Sequence, residues 1–205
     1  MSSLSSAQPE IDRIIQYWFN RGDEPILVSN SRWFAGGDKV DAEIKDQFGT
    51  LVQKARASQL ESWTQDPNAT IALIILLDQF SRNLFRGSPL SYSKDSMALD
   101  IATKAIAQGF DRKVTPVQQL FFYFPLVHDE KLISHVAANA LYDGWLARND
   151  CDQEIMEYAQ RVKDGCKLHT DIILRFGRYP SRNKILGRES TPEEIEYLKT
   201  HPTGF

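Results

Sequence analysis

The sequence predicts an all-α fold of about eight helices packed as helical hairpins. Apolar residues recur at three- and four-residue spacing in nearly every segment, the period of one face of a helix. No run longer than four residues alternates convincingly as a strand. Prolines and glycines stand where periodic stretches begin and end.

Taken in order, Ile11, Ile14, Ile15, Trp18 and Phe19 line one face of a first helix opened by Pro9, which leaves residues 1–8 as a flexible N-terminus. After a bend at Gly36-Gly37, Val40, Ile44, Phe48, Leu51 and Ala55 mark a second helix. Asp66-Pro67 supplies an N-cap and a proline at the first helical position. The helix it starts is apolar on every side from Ile71 to Leu77, so it belongs in the centre of the fold. Ala98, Ile101, Ala102, Ala105 and Ile106 form a stripe of small residues closed by Gly109. Thr115-Pro116-Val117-Gln118 spells a capping box and opens an apolar helix (Leu120, Phe121, Phe122, Phe124) that Pro125 must kink or stop. Ile133, Ala137, Ala140, Leu141 and Gly144 give the next stripe. Ile155, Ala159, Val162, Cys166, His169, Ile173 and Phe176 give a long one ending at Gly177. Thr191-Pro192-Glu193-Glu194 repeats the capping box before a short last helix. No 30–45-residue repeat aligns to a tetratricopeptide consensus and no linker divides the chain, so residues 1–205 are expected to be one domain.

Composition narrows the function classes without naming one. The longest apolar run is seven residues, against roughly 20 for a membrane span. The N-terminus has neither a basic region nor an apolar stretch, so a cytoplasmic protein with Cys151 and Cys166 as reduced thiols is expected. A formal net charge of −3 argues against a nucleic-acid partner. P-loop, Rossmann, nucleophile-elbow and zinc-spaced motifs are missing, so neither a cofactor nor a metal site is expected.

Three segments carry polar groups where packing alone would not place them. The first is Asp78-Gln79-Phe80-Ser81-Arg82-Asn83-Leu84-Phe85-Arg86-Gly87. Asp78 and Arg82 are one helical turn apart in the favourable orientation, and Gln79, Asn83 and Arg86 form a neighbouring stripe. They are either a helix end satisfying itself or the polar wall of a pocket with Arg82 or Arg86 as anion clamp. The second, Tyr123-Phe124-Pro125-Leu126-Val127-His128-Asp129-Glu130, holds a histidine that can act as acid or base, oriented by Glu130 or Asp129, or that only bonds a helix-end carbonyl.

The third segment, from Arg175 to Arg188, has five basic residues and no acid. Its guanidinium forks suit a carboxylate or phosphate ligand, and equally suit internal salt bridges to Asp78, Asp129 or Glu130. Interleaved Phe176 and Tyr179 add a weaker third reading, single-stranded RNA. Cys166 and His169 could form a thiol–imidazole pair but read as a core cysteine beside a hydrogen-bonded histidine.

Together these segments resemble the family called domain of unknown function 924. The resemblance rests on 78–87, on Phe122 to Glu130, and on His169 to Asn183 continuing through Leu186-Gly187-Arg188 to Glu194. It implies a helical, tetratricopeptide-like fold and no established reaction. The family pattern has proline at Ser81, histidine at Ser181 and Asp-Gln at Ser134-His135.

The function expected from the residues is a small-molecule enzyme or ligand-binding protein for an anionic metabolite. His128 and Glu130 would form the acid–base pair. Asp78, Gln79, Arg82, Asn83, Arg86, Tyr123, Arg175, Arg178, Arg182 and Asn183 would hold the ligand. Arg82, Arg178 and His128 should then converge on one cavity. The alternative is a protein–protein interaction scaffold without catalysis, whose partner would lie in a helical groove.

Overall fold

The computed structural model describes residues 2–19, 33 and 37–202, which hold helices and no strand. The all-α prediction is therefore borne out. Residue 1 and Gly36, included in the expectations above, lie outside the described residues. The α-helices are α1 (Ser2–Phe19), α2 (Asp38–Arg56), α3 (Pro67–Ile74), α4 (Ser81–Leu84), α5 (Asp95–Ala107), α6 (Pro116–Phe121), α7 (Phe124–His128), α8 (Leu132–Arg148), α9 (Gln153–Phe176) and α10 (Pro192–Thr200).

The caps written in the sequence form as chemistry dictates. Asp66 accepts hydrogen bonds from the backbone N–H groups of Asn68 and Ala69 and starts α3. Reciprocal capping boxes open α6 at Thr115–Gln118 and α10 at Thr191–Glu194. Gly109 and Gly177 take the left-handed conformation after α5 and α9, with φ of 72° and 70°.

Three features depart from the periodicity. First, α1 runs from Ser2 straight through Pro9, so residues 2–8 are helical instead of a flexible lead-in. Leu4 and Ala7 pack against the core and extend the stripe of Ile11, Ile14 and Trp18 by two turns, which outweighs the one backbone hydrogen bond that proline removes. Second, the helix begun by α3 does not continue evenly. Ile75–Phe80 is a six-residue π-helical segment joining α3 to α4, an arrangement common at functional sites. Third, α8 is rotated from the expected stripe. Ile133 is 71 % exposed, while Ser134, His135, Ala138, Tyr142 and Trp145 face inward. Tyr142 and Trp145 hydrogen-bond the carbonyls of Leu120 and Pro116, and His135 bonds that of Asp129. Polar atoms satisfied in this way can be buried at little cost, and hydropathy alone does not register them.

Pro125 both stops and starts. The run from Leu120 breaks after Phe121, and Pro125 sits in the first turn of α7, where its missing N–H costs nothing. The α3 and π-helical segments are buried almost throughout, forming the centre of one core with α1, α2 and α5–α9. Helices α8 and α9 pack as an antiparallel hairpin, tied by Asn139–Thr170 and by the Asp143–Lys163 ion pair. Ile172, Ile173 and Tyr179 with Phe176 and Tyr197 form a small second cluster under α10.

Candidate functional site

The π-helical segment and α7 meet at an Asp–His pair. Asp78 lies on the widened turn and is fully buried. His128 is the last residue of α7, and its Nδ1 donates to Asp78 Oδ1 at 2.7 Å. A carboxylate can only accept, so this bond fixes the proton on Nδ1 and leaves Nε2 as the basic nitrogen. Gln79 Nε2 donates to the other Asp78 oxygen. Arg82, one turn further on, lies 3.1 Å from Asp78 Oδ1, donates to the Asp78 carbonyl at 2.8 Å and grips Asp95 with two bonds of 3.0 and 3.1 Å. Arg182 reaches in over the rings of Tyr92 and Tyr179, with its Nη1 3.5 Å from Asp95.

The electrostatics follow from this geometry. Burial alone would raise the Asp78 carboxyl, but the Arg82 guanidinium and the His128 hydrogen bond outweigh it and hold the group well below the usual carboxylate range. Burial and then the neighbouring Arg82 push His128 below its ordinary 6.5, so the imidazole is neutral at pH 7 despite its carboxylate partner. His169, whose ring centroid is 6.5 Å from that of His128, is pushed down to about 2, chiefly by burial. Its Nδ1 donates to the Tyr179 hydroxyl at 3.0 Å, and that hydroxyl donates to the Val127 carbonyl just before His128. Two arginines against Asp78 and Asp95, with neutral histidines between them, leave the cluster with no net charge.

Two cavities flank His128. The larger, about 380 Å³, is lined by Phe124, Val127, His128, His169, Cys166 and neighbours on α9. The smaller, about 200 Å³, is lined by Trp33, Gln79, Arg82, Asn83, Arg86, Phe124 and His128. Phe124 and His128, stacked with centroids 6.1 Å apart, belong to both walls. The His128 side chain is 16 % exposed while Asp78 is sealed behind it. Such an arrangement can pass a proton between a cavity and an imidazole whose orientation a buried carboxylate fixes. Among the described residues, no three His, Cys, Asp or Glu side chains group so as to hold a metal ion, and no helix is long and apolar enough to cross a membrane.

The structure thus brings Asp78, Gln79, Arg82, His128 and Arg182 together, sets Asn83 and Arg86 on the wall of the smaller cavity, and distributes the remaining expected residues elsewhere. Glu130 does not orient His128: it accepts a bidentate grip from Arg188 and the Tyr179 N–H at 2.8 Å. Burial opposes ionisation of Glu130, but these donors prevail and lower it below the usual value. Asn83 and Arg86 line the smaller cavity but hold Asp41 of α2 at 2.8 Å. Tyr123 is turned away, donating to the buried Asp111 at 2.8 Å. Arg175 pairs with Glu193, and Arg178 with Glu194 at 2.6 and 2.8 Å. Asn183 bonds Glu194 and Ser190.

Of the basic loop, therefore, only Arg182 enters the cluster. Arg178 lines neither cavity that contains His128, so the expected meeting of Arg82, Arg178 and His128 does not occur. Carboxylates of the fold pair the arginines of the basic segment: Glu193 and Glu194 in the first turn of α10 take Arg175 and Arg178, and Glu130 takes Arg188. Tyr179 is 3 % exposed, which removes it as a platform for stacked bases.

Four residues escape the sequence reading. Asp95 opens a helix and looks there like an ordinary N-terminal charge. Tyr92 reads as loop, while Tyr158 and Arg161 read as a core and a solvated position on α9. The periodic signal of α9 does contain them, because 158, 161, 162, 165, 166 and 169 share one face with spacing of three and four. The departures at 134–135 also acquire a place. Ser134 Oγ donates to the Asp129 carboxylate at 2.6 Å, and His135 Nε2 donates to the Asp129 carbonyl at 2.8 Å, bracing the turn that follows His128. Ser81 is buried, donates to the Leu76 carbonyl across the π-turn, and accepts from Arg56.

Comparisons with known proteins agree with this architecture. The chain is similar to the solved structure of the protein of unknown function ATU0120 from Agrobacterium tumefaciens, with 31 % sequence identity and a TM-score of 0.77. That match covers 95 % of this chain and 99 % of the other. None of the curated proteins matches. A family model described as "Bacterial protein of unknown function (DUF924)" matches residues 14–202, a span that includes the Asp78–His128 pair, Arg182 and both capping boxes. The chain belongs to this family.

Proposed function

We propose that the chain is a small-molecule enzyme of the general acid–base type, with His128 as the base and Asp78 as its positioning residue. The buried 2.7 Å bond between them, at a wall shared by two cavities, carries this reading. With Nδ1 committed to an ionised carboxylate, Nε2 can take a proton from a substrate carbon or from water. Arg82 keeps Asp78 ionised, so the carboxylate does not compete for that proton. Cys166 adds no thiolate, because burial raises it to about 11. Proton abstraction and water activation are the reaction classes that remain for these side chains.

The test is a thermal-shift screen of the purified protein against acidic metabolites, phosphate esters and nucleotides, followed by turnover of each hit. His128→Asn should fold and lower kcat/KM by roughly 10²–10⁴-fold. The wild-type rate should fall off on an acid limb below pH 6.5, as the depressed imidazole takes up its proton. A folded His128→Asn protein with wild-type turnover would overturn the proposal. The scaffold reading retains one favourable observation: Ile133 and Val136, one turn apart on α8, are 71 % and 55 % exposed. It predicts that His128→Asn leaves function unchanged.

A further inference from the structure

The larger cavity carries on its wall a cation that no carboxylate pairs among the described residues. Each arginine of the three polar segments is neutralised: Arg82 by Asp78 and Asp95, Arg86 by Asp41, Arg175 by Glu193, Arg178 by Glu194, Arg182 by Asp95 and Arg188 by Glu130. Arg161 is different. It lines the cavity from α9, and among the described residues its guanidinium has no hydrogen bond or ion pair. Phe124, Val127, Val162 and Leu168 make the remaining walls largely apolar. Tyr158, on the same face of α9, also lines the cavity, and its buried hydroxyl has no hydrogen-bond partner among the described residues. Gly165 lies one turn beyond Arg161, and a Cβ built there would meet nothing within 4 Å. The missing side chain is part of what keeps the cavity open.

An uncompensated cation beside apolar walls selects a ligand with one anionic end and an apolar body. We infer that this cavity binds a small amphipathic acid, with its carboxylate or phosphate on Arg161 and its apolar body against Phe124, Val127, Val162 and Leu168. The reacting atom then faces His128. Only this last clause rests on the acid–base proposal; the binding half stands without it.

Calorimetric titration with octanoate, octyl phosphate and the neutral octanamide tests the inference on the full chain. At least one acid should bind, and which one does so identifies the anion. Octanamide should bind about tenfold or more weakly, as expected for loss of a charge-assisted contact. Arg161→Gln, a substitution of an exposed residue, should weaken the acid by a similar factor. Gly165→Leu should fold, since leucine favours helix over glycine, and should block binding by filling the cavity. Binding of the acid without turnover of any such compound would leave the ligand class standing and remove the acid–base role. Failure of both acids to bind, equal binding of octanamide, or an unaffected Arg161→Gln would overturn the ligand class itself.

Discussion

Replacing Asp78 by asparagine isolates the interaction at the centre of the site. The side chain is fully buried and receives His128 Nδ1 at 2.7 Å, Gln79 Nε2, and Arg82 at 3.1 Å. An asparagine there would be nearly isosteric but neutral, and its amide group would turn a donor toward other donors. Removing one member of a buried ion pair costs about 3–5 kcal/mol. Arg82 keeps its bidentate hold on Asp95, which places the expected loss near the lower end, about 3 kcal/mol. For a chain of 205 residues that corresponds to a fall in Tm of about 6–12 °C.

The pH dependence gives a second constraint. The folded-state value of Asp78 lies below its unfolded value of 3.8. Its stabilisation is therefore fully present above that value and is lost as pH falls below it, where the unfolded state binds the extra proton. Urea unfolding followed by the fluorescence of the four tryptophans measures the difference at neutral pH. Thermal melts at stepped pH then show whether wild type and Asp78→Asn converge on the acid side. A loss below about 1 kcal/mol at neutral pH would refute the reasoning, since no buried ionised pair breaks at so small a cost.

Two further predictions separate bracing from chemistry. Glu130→Gln should lower stability by about 1–2 kcal/mol in urea, because charge-assisted bonds to Arg188 and the Tyr179 N–H are weakened. It should leave kcat/KM for any substrate within a factor of about two, and a tenfold loss in a folded variant would return Glu130 to the site. His128, His135 and His169 all have folded-state values below 6.5, chiefly through burial. Between those values and 6.5 the unfolded chain holds more protons, so stability declines as pH falls below 6.5, by up to about 1.4 kcal/mol per pH unit for each histidine. Tm measured from about pH 7.5 to 5 should bend downward near 6.5, and His169→Gln should flatten the bend. A Tm unchanged over that range would contradict the neutral buried histidines.

Local chemistry was legible because it is short-ranged. Asp66-Pro67, the two capping boxes and the left-handed glycines after α5 and α9 each act within a few residues and formed as written, and the apolar run from Ile71 to Leu77 took its place in the core. The polar segments around Asp78 and His128 were also conspicuous, since ionisable groups in apolar surroundings need a partner. The identity of the partners was not. His128 finds Asp78 across 50 positions, Arg86 finds Asp41 across 45, and Arg188 takes Glu130 across 58. Composition cannot tell an arginine that clamps a ligand from one neutralised by a distant carboxylate.

The sequence by itself determined helix, cap and core, because period and end chemistry depend on neighbours along the chain. Tertiary structure decided the rotation of α8, the π-turn that sets Asp78 against His128, and the contrast between the paired arginines of the basic loop and an Arg161 without a partner among the described residues. Each of these depends on which surfaces meet and which charges are left over when they do. That outcome is a sum over the whole packed chain and has no local signature.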